Sequence, residues 1–119
     1  MRERLTEHFT KHELACPCCG CCDVKRRLVE ALEKLREECG DVPIRVNSGF
    51  RCEAWNERVG GVPASQHLQG AAADIVVQGM EPIEVAEKAE NITEFRHGGI
   101  GVYDTFVHVD VRYTGPARW

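Results

Sequence analysis

The sequence has no run approaching the roughly 18 consecutive apolar residues that a membrane-spanning helix needs. It has no basic block either. Fifteen Lys and Arg face 19 Asp and Glu, a net charge of −4, and nothing in that pattern would track a phosphate backbone. Neither nucleic acid nor a membrane is the expected partner. The opening stretch, MRERLTEHFTKHELAC, lacks the apolar core and small-residue cleavage site of a secretory signal. The expected location is therefore the cytoplasm, until something releases the chain. Internal repeats, low-complexity tracts and linkers are missing too. What remains, with 119 residues of which 43% are hydrophobic and 29% charged, is one domain over 1–119. It is too apolar for a disordered tail, and nothing asks for more than a monomer.

Cysteine is the exception to this ordinary composition. Five of the seven crowd into a loop at 16–22, as Cys16, Cys18, Cys19, Cys21 and Cys22, with Cys39 and Cys52 further on. An odd count argues against a closed disulfide framework. Neighbours in so tight a run cannot all pair in good disulfide geometry, whereas thiolates one or two residues apart can converge on a metal. Two readings follow: a small structural zinc or iron site, or a reduced loop whose thiols only pack, with Cys39 or Cys52 beneath it. No second Cys-x-x-Cys pair lies at finger or ribbon spacing, which favours packing.

Local patterns predict an α+β domain, with helices packed on a small, mostly antiparallel sheet. Thr10 and Glu13 fit a capping box, with Phe9 and Leu14 as its hydrophobic staple, so a short helix starts at Lys11. Asp23 is placed to cap a helix whose apolar positions run through Val24, Leu28, Ala31, Leu32, Leu35 and Cys39 and which Gly40 ends. Residues 43–47 read as a strand and 51–59 as a second helix. After a loop over 62–70, residues 71–77 resume as a strand. Pro82 opens an amphipathic helix that runs to Gly98-Gly99, and strands at 100–103 and 106–112 close the pattern.

In the last strand, alternation sends Val107, Val109 and Val111 to the core and Phe106, His108, Asp110 and Arg112 to the other face. Three polar groups in succession are costly to cover unless they pair or bind something, so that face borders a site or water. A second source of ligands is Ser65-Gln66-His67-Leu68-Gln69-Gly70-Ala71-Ala72-Ala73-Asp74, whose small residues let backbone come close. Zinc held by His67, Asp74 and His108 would have three protein ligands and an open position, the arrangement that lowers the pKa of bound water to about 7. Spacing alone equally allows His67 to cap backbone and Asp74 to be a capping or salt-bridged residue.

The sequence resembles the M15-type metallopeptidases of peptidoglycan, which share a zinc fold with D-Ala-D-Ala carboxypeptidases and dipeptidases, certain phage endolysins and the hedgehog signalling domain. The resemblance rests on Asn47-Ser48-Gly49-Phe50-Arg51, Asn56 with Val59-Gly60-Gly61, Ser65-Gln66-His67 with Gly70, Ala72 and Asp74, and Gly98-Gly99-Ile100-Gly101 leading to Val107-His108-Val109-Asp110. It implies a hedgehog-like fold in which His67, Asp74 and His108 ligate a catalytic Zn2+ and Arg51 faces the substrate. It also implies hydrolysis of stem or cross-link peptides of the bacterial cell wall, of D,D-carboxypeptidase or endopeptidase and endolysin type. Many relatives carry Glu or Asp three residues before the final His, where this chain has Thr105. Asp104 lies one position before Thr105, Asp110 lies two residues beyond His108 on the same strand, and both are candidates for the general base. The alternative from another functional class is a zinc-containing binding module without turnover.

Overall fold

The computed structural model describes residues 3–119. In chain order its elements are α1 (Lys11–Leu14), α2 (Arg26–Glu38), β1 (Ile44–Ser48), α3 (Glu53–Arg58), β2 (Ala72–Val77), α4 (Pro82–Ala89), α5 (Thr93–Arg96), β3 (Gly99–Val102), β4 (Val107–Asp110) and β5 (Ala117–Arg118). The strands form one sheet in the order β1-β2-β4-β3-β5. All pairings are antiparallel except β3 with β5, which is parallel. The domain is α+β, as expected.

One face of the sheet is covered by α2, α4 and α5. Ile75 and Val77 of β2, Val107 and Val109 of β4, and Val111 just beyond it meet Leu28, Leu32, Leu35, Val85, Ala89 and Phe95 in a common core. Alternation along a strand puts the intervening residues on the opposite face, and register decides which of them meet. Asp74 lies directly opposite His108, and His108 opposite Gly101. A bulge between Val46 and Ser48 brings Ser48 opposite Asp74. Ser48, Asp74, His108 and Gly101 therefore form one row across four strands, at the strand spacing of about 4.8 Å.

Several boundaries differ from expectation. The capping box of α1 is present, Thr10 accepting from the Glu13 backbone while the Glu13 carboxylate accepts from that of Thr10, and Phe9 and Leu14 are both buried. Asp23 does not cap α2. That helix starts at Arg26 behind Lys25, which offers no side-chain cap, because the Lys25 N–H is held by the Gly70 carbonyl at 2.8 Å. Gly70 itself has φ +68°, and a Cβ there would collide with the Asp23 carbonyl, so residues 23–25 run extended beside the 62–70 loop. The helix expected over 51–59 is shorter, at Glu53–Arg58. The long helix expected from Pro82 to Gly98 is two: Ile92 turns extended (φ −98°, ψ 116°), which lets both Ile92 and Phe95 enter the core. β4 ends at Asp110 rather than residue 112, and the short parallel β5 was not expected at all. Among the described residues, no helix is long and apolar enough to cross a membrane.

Candidate metal centre

Three side chains converge on the polar face of the sheet. His67 Nε2 stands 3.3 Å from Asp74 Oδ1, and His108 Nδ1 stands 3.2 Å from the same oxygen. All three residues are buried. The 62–70 loop presents His67 through consecutive tight turns, with Leu68 N–H on Ser65 O, Gln69 N–H on Gln66 O and Ala71 N–H on Gln66 O. Inside the loop the Ser65 hydroxyl accepts from the His67 N–H at 3.2 Å.

The remaining ring nitrogens fix the tautomers. His67 Nδ1 lies 2.8 Å from the Gly49 carbonyl, which can only accept, so the proton is on Nδ1. His108 Nε2 lies 2.7 Å from Asp110 Oδ2, so its proton is on Nε2. Each neutral ring then turns a lone pair toward a carboxylate oxygen that also has only lone pairs to offer. Such a convergence is stable only around a cation, either protons on the rings or a metal. Ligand atoms about 2.0–2.2 Å from a tetrahedral zinc lie about 3.3–3.6 Å apart, close to the separations seen here. The donor set of two imidazoles and a carboxylate, each imidazole donating its other N–H to a carbonyl or carboxylate, suits zinc.

Electrostatics follow the geometry. Burial opposes ionisation of Asp74, but its hydrogen bonds with His108 and His67 outweigh it and hold the carboxyl well below the usual carboxylate range. Burial also works against a charged His108, yet Asp110 and Asp74 on either side raise its pKa above the ordinary imidazole value. Asp110 is fully buried. It too is held low, burial being outweighed by His108 and Arg112.

Arg51 reaches the same place from the segment after β1. Its Nη2 lies 3.4 Å from Asp74 Oδ2, its Nε donates to Ser48 Oγ at 3.1 Å and its Nη1 to Asn56 Oδ1 at 3.2 Å. The guanidinium is thus braced on three sides with N–H donors to spare. Arg51, His67, Asp74 and His108 line a cleft of about 530 Å³ whose walls include Val59, Val62, Tyr103, Phe106, Arg112 and Trp119.

The two carboxylates considered as bases occupy unlike positions. Asp110 spends its oxygens on His108, on the Gly99 N–H at 2.8 Å, and on Arg112 Nε and Nη2 at 2.9 and 2.6 Å. Its strand face is not open to water, as alternation alone had allowed. Asp104 is exposed in the β3–β4 turn, outside the cleft lining. Tyr103 and Arg112 line the cleft, whereas Trp55, half-buried on α3, does not. Alternation placed Phe106 on this face without giving it a role, and sequence reasoning missed Trp119. Phe106 stacks on Tyr103 with ring centroids 4.5 Å apart. Trp119 lies 4.9 Å from the His108 ring, and its Nε1 donates to the Tyr103 hydroxyl at 2.7 Å. The available signal for Trp119 was Gly101: any Cβ there would strike the indole.

The family model described as peptidase M15 matches residues 7–110. The zinc D-Ala-D-Ala carboxypeptidase of Streptomyces albus G is 36% identical over 80 residues, covering 66% of this chain and 31% of that protein. A "probable peptidoglycan L,D-endopeptidase MepK" of Haemophilus influenzae is 37% identical over 82 residues, covering 63% of this chain and 41% of that protein. The chain thus spans well under half the length of either relative.

Proposed function

The chain belongs to the peptidase M15 family, and from that premise we propose that residues 1–119 are a single zinc-dependent peptidase domain cutting the short peptides of bacterial peptidoglycan. The observation that carries the reading is the meeting of His67 Nε2, Asp74 Oδ1 and His108 Nδ1, with the opposite nitrogen of each ring tied to Gly49 O or Asp110. The relatives' names point to different bonds, a D-Ala-D-Ala terminus and an L,D linkage. Peptides containing D-residues are the class common to both.

In this mechanism His67, Asp74 and His108 hold the ion. Zinc bound there supplies Lewis acidity, lowering the pKa of a water to about 7 and polarising a carbonyl. The Gly49 carbonyl and Asp110 keep the imidazoles in the tautomers that offer lone pairs. Arg51 donates its spare N–H groups to the scissile carbonyl oxygen or to a free carboxylate of the substrate, where a braced cation stabilises developing charge. Asp110 has no oxygen left to serve as a base. That leaves Asp104, which would have to swing in from the exposed turn between Tyr103 and Phe106 to take the water's proton and pass it to the leaving amine. Those rings, with Val59, Val62 and Trp119, give the apolar stem of a peptide something to lie against.

A second reading, a zinc-holding binding module without turnover, is favoured by one observation: position 105 is Thr, and Asp104 beside it is exposed in a turn outside the cleft lining. Digestion of purified peptidoglycan, with mass analysis of released peptides, separates the two. The hydrolase reading expects new amine and carboxyl ends from the wild type, none from His67→Ala, and roughly a 10²–10⁴-fold slower release from Asp104→Asn with zinc retained. Zinc bound without any release would establish the binding module instead, and Asp104→Asn cutting at the native rate would remove Asp104 as base.

A further inference from the structure

The cysteine loop is absorbed by none of the chemistry above, and the fold brings it a partner from elsewhere. Cys16, Cys18 and Cys19 meet Cys52, which caps α3 some thirty residues on, and the four sulfurs all lie within 4.8 Å of one another. Cys16 Sγ is 3.7 Å from both Cys18 Sγ and Cys52 Sγ, and Cys18 Sγ is 3.2 Å from Cys52 Sγ. These separations are too long for disulfides, whose sulfurs stand about 2.05 Å apart. They approach the spacing of thiolates around zinc, since sulfurs about 2.3 Å from a tetrahedral ion lie about 3.8 Å from one another.

The surroundings are those of a formed ligand loop. Gly20, at φ +75°, turns the chain so that its N–H reaches the Cys16 carbonyl at 2.8 Å, while the Cys16 N–H reaches the Cys21 carbonyl at 2.7 Å. Cys52 Sγ accepts from the Trp55 N–H at 3.5 Å. Cys16 is buried, and Cys21 stays outside the cluster. Of the two residues expected beneath the loop it is Cys52 that meets the thiols, and it supplies the fourth sulfur that local spacing did not offer. Cys39, the other residue considered as lying beneath the loop, sits at the end of α2 instead, against the core.

We propose that Cys16, Cys18, Cys19 and Cys52 form a second metal site, holding one zinc ion that is structural, because four thiolates leave no position open to substrate. On binding, the thiols give up their protons to solvent and the ion closes a clamp between residues 16–20 and residue 52. The clamp bears on the catalytic cleft through the neighbour of Cys52, Arg51. The same two segments are already joined by the Phe50 N–H on the Leu14 carbonyl at 2.8 Å, and Gly49 leaves no room for a Cβ against that carbonyl. The site does not depend on the reading of the His67 centre.

Metal counting by plasma emission on dialysed, full-length protein tests it, with wild type, Cys19→Ser, Cys52→Ser and His67→Ala in parallel. Two zinc ions per wild-type chain are expected, and one in each variant. Titration of the wild type with an organomercurial, read by a zinc-chelating dye, should release one zinc as the cluster thiols react, so the result does not depend on any variant folding. Cobalt substitution should give an intense thiolate-to-metal charge-transfer band, absent in Cys19→Ser and retained in His67→Ala. A single zinc that vanishes in His67→Ala but survives in Cys19→Ser would overturn the proposal. So would a wild-type mass short by two hydrogens before reduction, since that is a disulfide. A zinc held by the cysteines but none lost in His67→Ala would leave the clamp standing and defeat only the hydrolase reading.

Discussion

At the proposed metal centre Asp110 would act on the ion through His108 without touching it. It is fully buried and joins His108, Arg112 and the Gly99 N–H. Asp110→Asn keeps the shape but loses the charge, and an amide nitrogen facing His108 Nε2 would favour the wrong tautomer. Zinc affinity at the His67 centre is expected to fall by about 10–100-fold, measured by competition with a chelating dye. Because an unmatched guanidinium is left behind, stability should also fall by about 3–5 kcal/mol. The same residues set the pH response of the metal-free protein. Asp110 and Asp74 are held below their unfolded values, so below about pH 4 the unfolded chain takes up protons that the folded one refuses, and stability falls with pH. His108 is shifted the other way. Its contribution is full below about pH 6.5 and is lost as the pH rises through its folded value. Urea titrations of chelator-treated protein should therefore show stability declining on both flanks, with the alkaline decline missing in His108→Gln.

At the level of elements, glycine at 101 decides what the aromatic wall can be. It pairs with His108 across β3 and β4, and the Trp119 indole lies where its side chain would be. Gly101→Ala should push the indole away from His108, cost about 1–3 kcal/mol through overpacking, and raise KM for a wall peptide more than it lowers kcat; tryptophan fluorescence reports the displacement. The elements themselves were partly legible in the sequence. α1 announced itself through Thr10 and Glu13, and β4 through alternating valines, because both signals are local. The start of α2 was not, because Lys25 answers to Gly70. The break at Ile92 was hidden for a similar reason: Ile92 and Phe95 continue the helical apolar pattern, and only the shape of the core requires the turn between them. Register was beyond reach as well. Alternation put His108 on the polar face, but nothing local said that Asp74 would stand opposite it, and nothing local chose between Cys39 and Cys52 as the partner of the cysteine loop.

For the whole molecule, the proposed ions bind at sites that the unfolded chain does not possess, so metal occupancy and folding are linked. At free zinc about a thousandfold above Kd, each site contributes about 4 kcal/mol, equivalent to roughly 15 °C in Tm for a domain of this size. Stripping with a strong chelator should lower Tm by that order for each ion removed, and returning zinc should restore it; a chelator-insensitive Tm measured by calorimetry would mean that neither ion supports the fold. The row Ser48, Asp74, His108 and Gly101 has a further consequence for assembly. A slip of β4 by one residue against β2 would turn His108 to the helix-covered face and bring a valine to Asp74. Mispaired chains would still collapse, yet they would lack the complete set of ligands. Metal uptake at the proposed site would thereby act as a checkpoint on strand pairing, accepting the chain only after its two central strands have found their mates.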